Sequence, residues 1–155
     1  MPLPDERLLV AVPAGHRFEG RPALQLADPA LAQDIAARCS AAGVPPEAIE
    51  LEVTESAVMV DADGATLQLD RLRQLGFEIA LDDFGTGFSS LARLRGFDLD
   101  WIKIDRAFLG EIGQRPDEET LPGMIVSLSR QLGLKSLAEG VETDAQRHWL
   151  MRSGC

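Results

Sequence analysis

The chain is expected to be an α/β protein organised around a parallel sheet. Three observations predict this. Short β-type runs alternate with longer helical patterns, glycines stop most of the helices, and acidic residues recur where successive strands end.

Taken in order, strands are expected at Leu8–Val12, Ile49–Thr54, Glu78–Asp83, Asp100–Asp105 and Lys135–Glu139, about five parallel strands in all. Between them, Asp28 caps a helix that begins at Pro29, carries Leu31, Ile35 and Cys39 on one face, and stops at Gly43. Asp63 starts the next, with Leu67, Leu72 and Leu75 along it and Gly76 as its stop. Ser90–Arg95 reads as a short helix ending at Gly96, and Met124, Ile125, Leu128 and Leu132 form a stripe ending at Gly133. Thr143 and Gln146 make a capping box for a last helix that stops at Gly154. Gly15–Pro22 and Gly110–Pro122 read as insertions or loops.

At 155 residues, with 45% hydrophobic and 26% charged residues, the chain has the size and composition of one globular domain. No apolar run approaches the roughly 18 residues of a membrane helix. MPLPDERLLV lacks the pattern of a secretory signal, so a cytoplasmic protein without a membrane segment is expected. A net charge of -10 argues against binding duplex nucleic acid, and an anionic substrate would need a cation at the site. Cys39 and Cys155 have the spacing of neither a metal site nor a disulfide framework.

In a parallel α/β sheet, ligands gather where strands end and loops lead into helices. Ionisable residues stand at four such ends: Glu52 and Glu55 in LEVTES, Asp82 and Asp83 in LDDFGTG, Lys103 and Asp105 in WIKID, and Glu139 and Glu142 in AEGVET. Alternation puts Glu50, Glu52 and Thr54 on one face, Ala80 with Asp82, and Trp101 with Lys103. If the strands are neighbours, Glu52, Asp82, Asp83, Lys103 and Glu139 meet at one mouth. Crowded carboxylates repel unless cations sit between them. All-oxygen donors favour Mg²⁺ or Mn²⁺, and two such ions can activate water against a phosphodiester. Gly85 and Gly87 would let backbone amides approach a phosphate. Each motif alone has a plainer explanation: an Asp-Asp pair as a solvated turn, Thr54 or Ser56 as a helix cap, VDADG at Val60–Gly64 as a cap rather than a calcium loop. Trp101 and Trp149 read as packing residues, and His16 and His148 as structural or solvated.

LEVTES, LDDFGTGFSSLARLRGFDLDWIKIDRAFL and LGLKSLAEGVETDAQ, in that order, resemble the EAL domain of bacterial cyclic di-GMP phosphodiesterases. The resemblance implies a (β/α)8 barrel of the TIM type and hydrolysis of cyclic di-GMP to linear pGpG with Mg²⁺ or Mn²⁺. It implies Glu52, Asp82 and Asp83 as metal ligands, and Lys103 as holder of the attacking water or a phosphate oxygen. It also implies Glu139 as ligand or general base, Glu142 as support for its loop, and Glu55 as a brace for the loop after DDFG. Sensory or GGDEF domains and a homodimer are the partners it suggests.

The sequence also departs from the family. The Glu-Ala-Leu strand has no counterpart before Leu8, and Glu47-Ala48-Ile49 matches it only by accident. Pro13 stands where the family has an Asn, and the chain ends at SGC, before the final strand. A full barrel takes about 250 residues and eight strands, so residues 1–155 are expected to form an incomplete barrel, a partial EAL domain. Such an open layer suggests a fragment, a truncated chain or a dimer that completes the sheet. The chain alone is expected to hydrolyse little. The alternatives are an inactive module that binds cyclic di-GMP or a protein partner, and a barrel acting on another phosphoester.

Overall fold

The computed structural model describes residues 9–12, 16–18, 26, 28–82, 84–85, 94–112 and 120–155, with 9–12, 16–18 and 60 described by backbone alone. In chain order the elements are β1 (Leu9–Val12), β2 (His16–Phe18), α1 (Leu31–Ala42), β3 (Glu50–Thr54), α2 (Glu55–Val60), α3 (Ala62–Gln74) and β4 (Glu78–Asp82). They continue with β5 (Trp101–Ile104), α4 (Arg106–Leu109), α5 (Leu121–Leu132), β6 (Lys135–Ala138) and α6 (Asp144–Ser153).

The strands form one six-stranded sheet in the order β2-β1-β3-β4-β5-β6. From β3 to β6 every pairing is parallel. The α/β expectation therefore holds, but four strands are parallel rather than five: β1 runs antiparallel to both β2 and β3. Three residues separate β1 from β2, a span that joins antiparallel strands, whereas a parallel crossover takes about a dozen residues or more. His16–Phe18, expected in a loop, is thus the second arm of this pair.

One face of the parallel strands is hydrophobic. Leu51, Ile79, Leu81, Ile102 and Ile104 are fully buried in a cluster with Leu31, Leu69, Leu72 and Ile125 of the helices. Burying each such side chain contributes roughly 1.5–3 kcal/mol. The helix facing differs in places from expectation. In α3 the buried stripe is Ala65, Gln68, Leu69 and Leu72, while Leu67 and Leu75 are exposed. The cap is Asp61, whose carboxylate accepts from the Gly64 N–H at 3.1 Å, so the helix begins one residue before Asp63. Leu67 lies about 140° around the helix from Leu72, off the face that packs on the sheet. In α5, Met124 is likewise exposed, and Ile125, Val126 and Ser129 face inward.

The remaining punctuation falls where the residue types require it. The Asp28 carboxylate accepts from the Ala30 N–H at 2.9 Å ahead of α1. Gly43, Gly133 and Gly154 close α1, α5 and α6 in the left-handed conformation that glycine adopts without a Cβ penalty. Thr143 and Gln146 form a reciprocal capping box at α6. The expected helix at Ser90–Arg95 falls mostly outside the described residues, as does Pro13. Among the described residues, no helix is long and apolar enough to cross a membrane.

Candidate functional site

The opposite face of the parallel strands is polar. Register places Glu50 beside Glu78, Glu52 beside Ala80, Thr54 beside Asp82, and Ala80 beside Trp101. In β5 and β6, Trp101 lies beside Lys135 and Lys103 beside Leu137. The Glu139 N–H donates to the Ile104 carbonyl at 3.1 Å, which carries Glu139 just past the end of β6, level with the end of β5.

Side chains from the middle of β3, from within β5 and from just past β6 meet here. Lys103 Nζ donates to Glu52 Oε1 at 2.6 Å and lies 2.5 Å from Glu139 Oε1. Lys103 and Glu52 are both buried, while the Glu139 side chain is 48% exposed, so the ammonium bridges an interior acid and one at the rim. Burial disfavours the charge on Lys103. The bonds with Glu139 and Glu52, and the charges of Glu52 and Asp82, outweigh it and hold its pKa above the ordinary lysine value. Burial is the main cause that raises the pKa of Glu52. The Lys103 bond opposes it, and repulsion from Asp82 and Glu139 adds to it. Asp82 therefore lies within electrostatic reach of both partners.

A second set of contacts, with no signal in the residue pattern, stands at the start of the strands. Trp101 Nε1 donates to Glu78 Oε2 at 2.9 Å, and Lys135 Nζ lies 4.3 Å above the Trp101 ring. Trp101 thus does pack, through a cation–π contact and a hydrogen bond. Glu50, between the two sets, has its pKa raised mainly by burial, with repulsion from Glu52 added.

Of the other expected site residues, Glu55 is buried and one carboxylate oxygen accepts the Gly85 N–H at 3.4 Å. That contact ties the first residue of α2 to the turn after Asp82, where Gly85 has φ +95°. Asp105 caps α4, accepting from the Ala107 N–H at 2.7 Å. Glu142 is exposed, and its backbone N–H donates to Gln146 Oε1 at 2.9 Å. Asp83 and Gly87 lie outside the described residues. A groove of about 730 Å³ between α5 and α6, lined by residues such as Met124, Trp149 and Arg152, includes none of these side chains.

The donors fit a hard divalent ion in kind, since Glu52 and Asp82 offer oxygen ligands. They fall short in number. Among the described residues, no group of three or more acidic, histidine or cysteine side chains is arranged to hold one metal ion.

An open α/β layer with carboxylates and a buried lysine converging at its strand ends defines a barrel-type module with an acidic mouth. The family described as EAL domain matches residues 19–155, and the chain belongs to that family. It is 42% identical over 133 residues to the bifunctional diguanylate cyclase/cyclic di-GMP phosphodiesterase MucR of Pseudomonas aeruginosa, covering 86% of this chain and 19% of that protein. It is 44% identical over 107 residues to the cyclic di-GMP phosphodiesterase NbdA of the same organism, covering 69% of this chain and 14% of that protein. The chain thus spans about a fifth or less of these relatives' length. Among solved structures, the MucR phosphodiesterase in complex with c-di-GMP superposes with a TM-score of 0.76 at 42% identity, over 85% of this chain and 53% of that one. A manganese/cy-diGMP complex of Klebsiella pneumoniae BlrP1 gives 0.69 at 33% identity, over 82% of this chain and 32% of that one. The fold is accordingly that of an incomplete α/β barrel.

Proposed function

We propose that this chain is part of a cyclic di-GMP phosphodiesterase domain, a cytoplasmic hydrolase module that opens one phosphodiester of cyclic di-GMP to give linear pGpG. The observation that supports it most is the convergence of Glu52 and Glu139 on Lys103, with Asp82 in electrostatic reach, in a member of the EAL family. Glu52 and Asp82, together with Asp83, would hold Mg²⁺ or Mn²⁺. When bound, such an ion supplies an activated water and offsets charge at the phosphate. Lys103 keeps its charge under burial and is placed to orient a water or a phosphate oxygen at the mouth. Glu139, at the rim, is suited to accept a proton from water, with Glu142 supporting its loop. Glu55 braces the turn at Gly85 by accepting its N–H, and Gly85 and Gly87 would let the backbone come close to a phosphate.

The domain in residues 1–155 is read as partial, lacking the Glu-Ala-Leu strand and the final strand. A second reading, an inactive module that binds cyclic di-GMP or a protein partner, is favoured by Pro13, which offers no amide oxygen where the family has Asn. Flanking sensory or GGDEF domains would complete the parent protein.

Calorimetry with cyclic di-GMP, with and without Mn²⁺, tests both readings when run beside chromatographic detection of pGpG. The expected result is binding strengthened by Mn²⁺ with little hydrolysis. Rapid Mn²⁺-dependent release of pGpG, abolished by Asp82→Asn, would overturn the expected inactivity. Equal binding of a linear dinucleotide would point to another phosphoester substrate.

A further inference from the structure

We propose that Gln146 is a positioning residue for the site: its side-chain amide ties the loop after β6 to α4 and so holds Glu139 against Lys103. The inference rests on the reading of Glu139 as a site residue and adds what keeps its carboxylate in place.

Glu139 lies beyond Ala138, the last residue of β6, so the sheet does not hold it as it holds Glu52 and Lys103. Its side chain is 48% exposed, yet its carboxylate sits 2.5 Å from Lys103 Nζ. Fixing an exposed loop residue in one place costs backbone and side-chain entropy, which contacts of the loop must offset. One such contact is the Glu139 N–H, which donates to the Ile104 carbonyl of β5 at 3.1 Å. Another is Gly140, packed so closely on α4 that a Cβ there would come 2.6 Å from the Arg106 Cβ.

Gln146 supplies a third and uses both ends of its amide. Its Oε1 accepts from the backbone N–H groups of Glu142 at 2.9 Å and Thr143 at 3.0 Å. Its Nε2 donates to the Leu109 carbonyl at 3.3 Å, a part-buried contact at the last residue of α4. The same carbonyl accepts the Ile112 N–H, also at 3.3 Å. A capping box needs only the acceptor, which a glutamate provides as well as a glutamine. The donor does something else: it spans 37 residues of chain to the helix that follows the Lys103 strand. The loop therefore meets α4 at Arg106, its first residue, and at Leu109, its last. Glu139 is in this way registered against the segment that carries Lys103.

Two substitutions separate the donor from the cap. Gln146→Glu keeps an acceptor for Glu142 and Thr143 but cannot donate to the Leu109 carbonyl. Thr143→Ala removes half of the capping box and leaves the Leu109 bond. Amide hydrogen exchange of the 155-residue chain and both variants is read residue by residue by NMR, beside thermal melting. Losing one hydrogen bond of ordinary strength should speed exchange of the Glu139 N–H about fivefold in Gln146→Glu, with the melting temperature kept. Thr143→Ala should lower the melting temperature and leave Glu139 exchange as in the parent. Unchanged Glu139 exchange in Gln146→Glu, or equal acceleration in both variants, would overturn the proposal and reduce Gln146 to a helix cap. Calorimetry of the parent chain with cyclic di-GMP keeps the functional reading separate. No binding there counts against that reading, while Glu139 exchange still decides the role of Gln146.

Discussion

Glu50 shows how a single residue links the site to stability. Burial raises its pKa above 4.5, repulsion from Glu52, Glu78 and Glu139 raises it further, and Lys103 opposes the rise. Folding therefore tightens proton binding at Glu50. The stability this group contributes is complete below its unfolded pKa and is lost as pH rises through the folded value. Lowering the pH from 7 towards 5 should raise the melting temperature more in the parent chain than in Glu50→Gln. Parallel melting curves across that range would contradict it. Glu52 shifts in the same direction, so some slope should persist in the variant. Alternation along β3 was enough to place Glu50 and Glu52 on one face. That Lys103 would take both Glu52 and Glu139 was not legible, because the residue types allow many other pairings. Likewise, Glu78 and Lys135 carried no signal until Trp101 came between them.

At the scale of elements, the loop after β6 depends on close packing against α4. A Cβ on Gly140, which has φ +65°, would come 2.6 Å from the Arg106 Cβ, whereas Gly43, with φ +67°, faces open space. Gly43→Ala should cost about 1–2 kcal/mol for the left-handed backbone alone. Gly140→Ala should cost more, and should also displace the neighbouring Glu139 from Lys103. Urea unfolding of the two variants checks the order; equal costs would mean that the Arg106 contact yields freely. The capping box at α6 gives a further expectation: Thr143→Ala should destabilise by about 1 kcal/mol in the same measurement. Caps and terminal glycines were legible because they act within a few residues. The inward faces of α3 and α5 were less so. Leu67 and Met124 are apolar, and only packing against the sheet decided that they would be exposed while Leu69 and Val126 were buried.

For the molecule as a whole, the open sheet has consequences for association. Among the described residues, β2 and β6 are the outer strands, and Leu137 of β6 is 38% exposed. Outer strands present unpaired backbone groups that invite pairing with another chain. Sedimentation velocity should show association that grows with concentration, and Leu137→Lys should shift it towards monomer. A parent chain that stays monomeric at every concentration would contradict this and the homodimer proposed with it. The sequence by itself determined the α/β class, five of the six described strands, the helices α1, α3, α5 and α6 with most of their caps, and the recurrence of acids towards the strand ends. These follow from periodicity and local hydrogen bonds, which need no partner far along the chain. Only the tertiary structure decided that β1 runs antiparallel, and that Lys103 reaches across 51 residues of chain to Glu52. Strand direction and cross-strand charge pairing depend on register between segments that meet only after the core has closed.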